Sequence, residues 1–171
     1  VEYFVGPDFK DISAIDWQSL NMVPEKALVY FDDEQPIMTR LADGIQKGFR
    51  HFMFDDNYAF LEGDNYSFKW ACERQSLSKW PGQVPAGVNK GSVPKSWEEH
   101  WEEGNRLNSV IRSYYEFPPV LSSDFTGSVR YNPKYTSHPL LTSQREVDKY
   151  GPTKIDGEEH QLYTHFCVVE T

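Results

Sequence analysis

The sequence lacks several features that would assign it to a class at once. Two cysteines, Cys72 and Cys167, occur in 171 residues, too few and too far apart for a disulfide framework or a zinc knuckle. Basic residues are scarce, because 17 Lys and Arg stand against 26 Asp and Glu, and the formal charge of −9 argues against a nucleic-acid partner. No stretch approaches the roughly 20 apolar residues of a membrane span. We therefore expect a soluble protein with two buried thiols, in a reducing compartment rather than secreted.

Familiar catalytic motifs are missing as well. The chain has no Gly-x-Ser-x-Gly sequence, no P-loop and no HExxH, and its five histidines are dispersed. His165 and Cys167 would share one face of a strand, but no Asp or Asn is evident to complete a nucleophilic site. The acidic residues are therefore the remaining candidates for chemistry.

An α/β pattern is the clearest feature that is present. The apolar run from Ala27 to Phe31 reads as a buried strand, apolar on both faces as in a parallel sheet covered by helices on both sides. Apolar residues then recur every three or four positions up to Ile45, Gly48 closes the predicted helix, and residues 51–54 form a second strand. Strand, helix and strand within about 30 residues indicate a βαβ unit with parallel strands. The length favours one domain over residues 1–171.

Acidic residues follow both predicted strands. Asp32 and Asp33 come after the first strand, and Asp55, Asp56 and Asn57 come after the second. Because parallel strands end at the same edge of a sheet, where α/β folds bind ligands, we expect these side chains to meet there. One interpretation is a shared cation that offsets their repulsion. The other is helix capping and turn hydrogen bonds, the commoner use of Asp after a strand.

The rest of the chain is less periodic. Residues 78–95 are rich in Pro and Gly, and we expect an irregular loop across the carboxyl edge of the sheet, anchored by Trp80. A capping box opens at Ser96 and predicts a helix that continues to Tyr114. Residues 122–153 read as a second loop-rich tract.

Short strands are predicted at both ends of the chain, over residues 1–5 and 162–169. A short amphipathic helix is predicted around Asp16 and Trp17, and a helical turn over residues 68–72.

Four segments, LVYFDDEQ, FMFDDNY, YYEFPP and YTHFCVV, resemble in order the carboxyl-terminal half of a class I S-adenosylmethionine-dependent methyltransferase. The nearest groups are the cephalosporin hydroxylases and the metal-dependent O-methyltransferases. The resemblance implies a partial Rossmann-like fold, with a mostly parallel sheet, helices on both faces and long loops. It also implies transfer of a methyl group from S-adenosylmethionine to an oxygen.

The resemblance further implies a metal site. The family's ligand positions fall on Asp33, Asp56 and Asn57, with Asp32 and Asp55 as neighbours. Hard oxygen ligands of this kind suit Mg²⁺ or Ca²⁺.

Two departures from the family limit this expectation. Glu34, Gln35 and Pro36 stand where the family often has a His and, a little later, the Lys that removes the acceptor proton. The Gly-rich cofactor turn would lie upstream of Val1, so S-adenosylmethionine binding requires an upstream segment. The alternative is a non-catalytic accessory or structural subunit of a larger assembly, and whether the protein is an enzyme stays open. Either a protein partner or the upstream segment is expected to cover the edge of the strand from Ala27 to Phe31.

Overall fold

The computed structural model describes residues 6–33, 35–55, 57, 67–72, 96–118, 140–151 and 166–171. Strands and helices alternate in the first part of this set. In chain order the elements are β1 (Leu28–Phe31), α1 (Ile37–Gln46), β2 (His51–Phe54), α2 (Phe68–Cys72), α3 (Trp97–Asn108), β3 (Ser113–Glu116), α4 (Gln144–Tyr150) and β4 (Cys167–Glu170). Three short 3₁₀ turns precede β1, at Gly6–Asp8, Ile12–Ala14 and Pro24–Lys26.

The four strands form one mixed sheet in the order β1-β2-β4-β3. β1 and β2 are parallel, with Phe31 opposite Phe54. β4 lies antiparallel between β2 and β3, so that β1, β2 and β3 all run in the same direction. The α/β class is confirmed, but the sheet is mixed rather than mostly parallel, because only one of its three pairings is parallel.

The predicted βαβ unit is present with nearly the predicted bounds. Apolar spacing places Ile37, Met38 and Leu41 of α1 against the sheet, where all three are buried. Gly48 ends the helical segment with φ of +89°, a conformation that glycine adopts without steric cost. The spacing of apolar residues was sufficient here because both strands and the helix that joins them are local in sequence.

The core lies on one face of the sheet. Phe31, Phe52 and Phe54 stack with ring centroids 5.3 and 6.3 Å apart, and Cys167 and Val169 of β4 are fully buried beside them. α1 packs so closely that a Cβ on Gly44 would overlap Cε1 of Phe52. Phe68 and Ala71 of α2 belong to the same core, and Leu107 of α3 packs against it.

On the opposite face of the sheet, side chains of β1 are largely exposed. Leu28 is 58% exposed and Tyr30 is 48% exposed on β1. The prediction of helices on both faces is therefore not met by α1, α2 and α3, which share the Phe52 face. An apolar run such as Ala27–Phe31 permits a strand to be covered on both faces. It does not specify which element covers the second face.

The helix predicted from Ser96 is shorter than expected. Its capping box is present, since the Ser96 hydroxyl accepts from the N–H of Glu99 and the Glu99 carboxylate accepts from the N–H of Ser96. The helix ends at Asn108, and Tyr114 lies in β3 rather than on a helical stripe. Aromatic residues favour strands, and pairing with β4, distant in sequence, outweighs the local helical spacing.

Other predictions changed in part. Phe68–Cys72 is helical as predicted. Residues around Trp17 form turns instead of a helix, and the Trp17 ring packs edge-on against Phe49 at 5.2 Å. α4 interrupts the predicted loop tract 122–153 through a second capping box, and β4 begins at Cys167, within the predicted 162–169. The predicted strand 1–5 and loop 78–95 lie outside the described residues.

Helices of the described residues are all too short or too polar to cross a membrane. Cys167 is a buried free thiol, as predicted, whereas the side chain of Cys72 lies outside the described set.

Candidate functional site

The carboxyl ends of β1 and β2 bring the predicted acidic positions to one edge of the sheet. The parallel register pairs Phe31 with Phe54, so Asp32 and Asp55 are the next residues on the two neighbouring strands. The structure thus places them as the sequence pattern indicated. Asp56 lies outside the described residues.

Asp33 is held by an arginine of α1. Nη2 of Arg40 lies 2.6 Å from Oδ2 of Asp33, and Nη1 lies 2.6 Å from Oδ2 of Asp11. A third carboxylate, on Asp43, is 3.8 Å from the same guanidinium. The Arg40 side chain is only 13% exposed and its guanidinium carbon lies 5.7 Å from the centroid of the Phe31 ring. A cation at Asp33 would therefore compete with Arg40.

The pKa values in this group follow from its geometry. Burial tends to raise the pKa of Asp11, but hydrogen bonds from Ser13 and Arg40 outweigh it and leave the pKa below its ordinary value. Burial and the nearby charge of Asp11 raise the pKa of Asp43, although Arg40 opposes the shift. The guanidinium of Arg40 remains charged, since its carboxylate hydrogen bonds raise a pKa that burial would lower.

Asn57 points into the protein rather than toward the other predicted ligands. It is fully buried, its Nδ2 donates to the hydroxyl oxygen of Tyr114 at 2.7 Å, and its Oδ1 accepts from the backbone N–H of Lys69 at 3.2 Å. In this arrangement the Asn57 oxygen holds α2 against the sheet.

Asp32 and Asp55 are the other predicted ligands that the structure describes. Asp32 is exposed, and Oδ2 of Asp55 accepts from the Tyr30 hydroxyl at 3.5 Å. Among the residues that the structure describes, no group of three or more His, Cys, Asp or Glu side chains is arranged to hold a metal ion. The metal site at Asp32, Asp33, Asp55, Asp56 and Asn57 stays a prediction.

Four side chains form what we name the buried polar cluster: Asn57, Lys69, Tyr114 and Glu116. Nζ of Lys69 lies 3.3 Å from Oε2 of Glu116, and each side chain is 2% exposed. The Tyr114 hydroxyl donates to the other carboxylate oxygen of Glu116 at 2.5 Å. Neither Nζ of Lys69 nor Oε2 of Glu116 has a well-directed hydrogen bond. A buried ion pair with unfilled hydrogen-bonding capacity is uncommon and calls for an explanation.

Burial keeps the neighbouring groups neutral. It raises the pKa of Tyr114 far above the ordinary phenol value, with Cys167 and Glu116 adding to the shift. It also raises the pKa of the Cys167 thiol, assisted by Glu116 and opposed by Lys69. Tyr114 is thus a hydrogen-bond donor to Glu116 near neutral pH, and Cys167 lacks the thiolate character of a nucleophile.

Three members of this cluster were not singled out by sequence reasoning. Lys69 follows Phe68 in a short helical turn, and Tyr114 was assigned to a helical core stripe. The alternation in the strand SYYE would have placed Glu116 on the same face as Tyr114, once β3 was recognised as a strand. An acid on the inward face of a strand is the signal that was available.

A cleft of about 450 Å³ opens at the other edge of the sheet. It is lined by apolar residues, among them Ile45, Phe49 and Ile111, and by the charged residues Glu25, Arg50 and Arg112. This edge carries the amino ends of β2 and β3, opposite to the acidic edge.

Comparison with known proteins was negative throughout: models of known protein families did not match this chain, and neither curated proteins nor solved structures gave a significant match.

Proposed function

We propose that the chain is a Rossmann-like domain of the class I methyltransferase type, and that the complete gene product transfers a methyl group from S-adenosylmethionine to an oxygen acceptor. The observation that carries the proposal is the position of β4, antiparallel between β2 and β3 in a sheet whose other strands run in one direction. An antiparallel last strand inserted in this way is a feature of the resembled fold. The parallel β1–α1–β2 unit beside it supports the same reading.

In this proposal the oxygen acceptor binds at the acidic edge of the sheet, where Asp32, Asp33 and Asp55 follow β1 and β2. The carboxyl ends of parallel strands are where α/β sheets bind ligands. Asp32 and Asp55 stand there with Asp33, while the buried polar cluster anchors α2 and β3 directly beneath that edge. Mg²⁺ or Ca²⁺ remains part of the proposal, with Asp32, Asp33, Asp55 and Asp56 as the residues that would hold it. Such a cation lowers the pKa of a bound hydroxyl.

Cofactor binding tests this function directly. Titration calorimetry with S-adenosylhomocysteine should show binding to a form of the protein that carries the upstream cofactor segment implied by the resemblance, and the 171-residue chain is the matched control, for which we expect none. If the complete gene product binds neither S-adenosylhomocysteine nor S-adenosylmethionine, the methyltransferase proposal is refuted.

Metal binding is tested separately, by thermal unfolding of the 171-residue chain with and without MgCl₂. We expect stabilisation that Asp56→Ala abolishes and that Asp148→Ala, on the exposed surface of α4, leaves unchanged. Equal stabilisation of both variants would show that magnesium acts on general surface charge.

A non-catalytic accessory or structural subunit is the second candidate function. It is favoured by Arg40, which engages Asp33 and Asp11 in ion pairs and so gives the predicted ligand Asp33 a structural role. It is favoured also by the outer edge of β1, with which no strand of the described residues pairs. A complete gene product that assembles with another protein and lacks cofactor binding would establish this reading.

A further inference from the structure

The sheet face opposite the core carries a continuous apolar row. The register places Tyr30 of β1, Met53 of β2, Val168 of β4 and Tyr115 of β3 side by side across all four strands. Tyr30 is 48% exposed and Tyr115 is 52% exposed, at the two ends of the row. We name this row and its apolar neighbours Leu28, Phe117 and Phe166 the open face.

Aromatic contacts extend the row toward the carboxyl edge. The Phe166 ring lies 6.4 Å from the rings of both Tyr30 and Phe117, and the Phe117 ring lies 5.6 Å from that of Tyr115. Phe117 is nevertheless 39% exposed and Leu28 is 58% exposed. The half-buried Met53, Phe166 and Val168 join these exposed side chains into one apolar surface, and contiguous apolar surface of this kind marks an interaction site more often than isolated exposed residues do.

The dimensions fit one helix. Neighbouring strands are about 4.8 Å apart, so the row spans about 14 Å from the first strand to the fourth. An α-helix with its side chains is about 10–12 Å across. One helix lying along the strands would therefore cover most of the row and supply the second layer that an α/β sheet ordinarily has.

The negative charge of this protein favours a basic helix. Asp32 follows β1 at the carboxyl end of the open face and is exposed, and the chain carries a formal charge of −9. A cationic partner gains from both, whereas a second copy would bring another −9 toward the same surface. A basic helix of another protein is therefore favoured over a second copy of this acidic chain.

We propose that the open face is the docking surface for an amphipathic helix of a separate protein. That helix lies along the strands, so that its apolar stripe crosses the row between Tyr30 and Tyr115, and Lys or Arg residues at one end of it face Asp32. This proposal is independent of methyl transfer, because neither S-adenosylmethionine nor a metal is needed for the helix to bind.

Two synthetic peptides test the proposal with the 171-residue chain. Both are labelled 18-residue helices with leucine at every third and fourth position, and their other exposed positions carry lysine in the basic probe and glutamate in the acidic probe. Fluorescence anisotropy at two salt concentrations should show binding of the basic probe at least tenfold tighter than that of the acidic probe. We expect Tyr115→Ser to weaken the basic probe at least fivefold, and Asp32→Asn to weaken it about threefold while reducing its salt dependence.

Tyr150→Ser is the matched control, since Tyr150 is 63% exposed on α4 and the substitution is the same. Leu28→Ser serves as a second open-face variant if Tyr115→Ser lowers the melting temperature appreciably. Equal weakening by Tyr150→Ser, or no effect of either open-face variant, overturns the proposal. So does a dimer in sedimentation that Tyr115→Ser dissociates, because the occupant would then be a second copy.

Discussion

Replacing Lys69 by methionine removes the only cation within ion-pair distance of Glu116 in the described part of the chain. Methionine keeps the length and the apolar stem of lysine, so the packing of α2 against Phe68 and Ala71 is preserved. What changes is the charge: the Glu116 carboxylate, 2% exposed, keeps the Tyr114 hydroxyl bond and loses the ammonium 3.3 Å away. The variant therefore isolates the electrostatic part of the pair.

The expected cost is large because the partner charge stays buried. Removing one member of a buried ion pair destabilises a protein by about 3–5 kcal/mol. For a domain of this size each kcal/mol shifts the melting temperature by about 2–4 °C, so the loss is on the order of 10 °C. Urea unfolding followed by circular dichroism measures the free energy of unfolding directly.

A double-mutant cycle separates the pair from its surroundings. Glu116→Gln retains an oxygen for the Tyr114 hydroxyl but leaves the Lys69 ammonium without a counter-charge. The combination Lys69→Met with Glu116→Gln removes both charges. We expect it to cost less than the sum of the single variants by about 2–3 kcal/mol, the coupling typical of residues in direct contact.

The control is Lys149→Met, the same substitution on the exposed surface of α4. A surface change of this kind costs within about 0.5 kcal/mol. If Lys69→Met costs less than about 1 kcal/mol, or if the single-variant effects simply add in the double variant, the ion pair is not a buried, coupled unit and our account of the cluster is wrong.

Three further predictions concern the core, the thiol and the acidic group. Gly44→Ala should destabilise the protein by about 1–3 kcal/mol through overpacking against Phe52, despite alanine's better helix propensity, and a more stable variant in urea would show that α1 can move away from the sheet. In a Cys72→Ser background, Cys167 should resist iodoacetamide at pH 8.5 in the native protein and react in urea, because burial raises the pKa of its thiol; rapid native labelling contradicts this. Arg40→Met leaves three nearby carboxylates without their shared guanidinium, so its melting temperature should fall more at pH 7 than at pH 2.5, below the ordinary carboxyl pKa, and a loss independent of pH would argue against a charge effect.

The pH dependence of the ion pairs around Arg40 explains why Arg40→Met should lower the melting temperature more at neutral than at acid pH. The pKa of Asp11 is lowered in the folded protein, so its contribution to stability is present above the ordinary carboxyl pKa and is lost as the pH falls through the lowered value. The wild-type protein should therefore lose part of its advantage over Arg40→Met in acid.

The βαβ unit could be read from the sequence because its determinants are local. The spacing of Ile37, Met38 and Leu41 sets the buried face of α1, and Gly48 supplies the positive φ at which the helical segment ends. The capping box at Ser96 likewise requires only residues three positions apart. Elements that are stabilised by contacts between residues close in sequence can therefore be predicted from the sequence alone.

The acidic residues show what local sequence patterns do not predict. Their position at one sheet edge follows from a parallel pairing that the pattern predicted. Which partner each side chain takes does not: Arg40 also bonds to Asp11, 29 positions earlier in the chain, and Asn57 bonds to Tyr114, 57 positions later. Hydrogen-bond partners distant in sequence are chosen by the packing of whole elements.

The amino-acid sequence by itself determined β1, α1 and β2 and the capped start of α3, because local spacing and backbone conformation decide these. Only the tertiary structure decided that Tyr114 belongs to a strand, that β4 enters antiparallel between β2 and β3, and that Lys69 and Glu116 meet in the core. Strand pairing and ion pairing join residues far apart in the chain, and their free energy depends on the burial that the assembled fold creates.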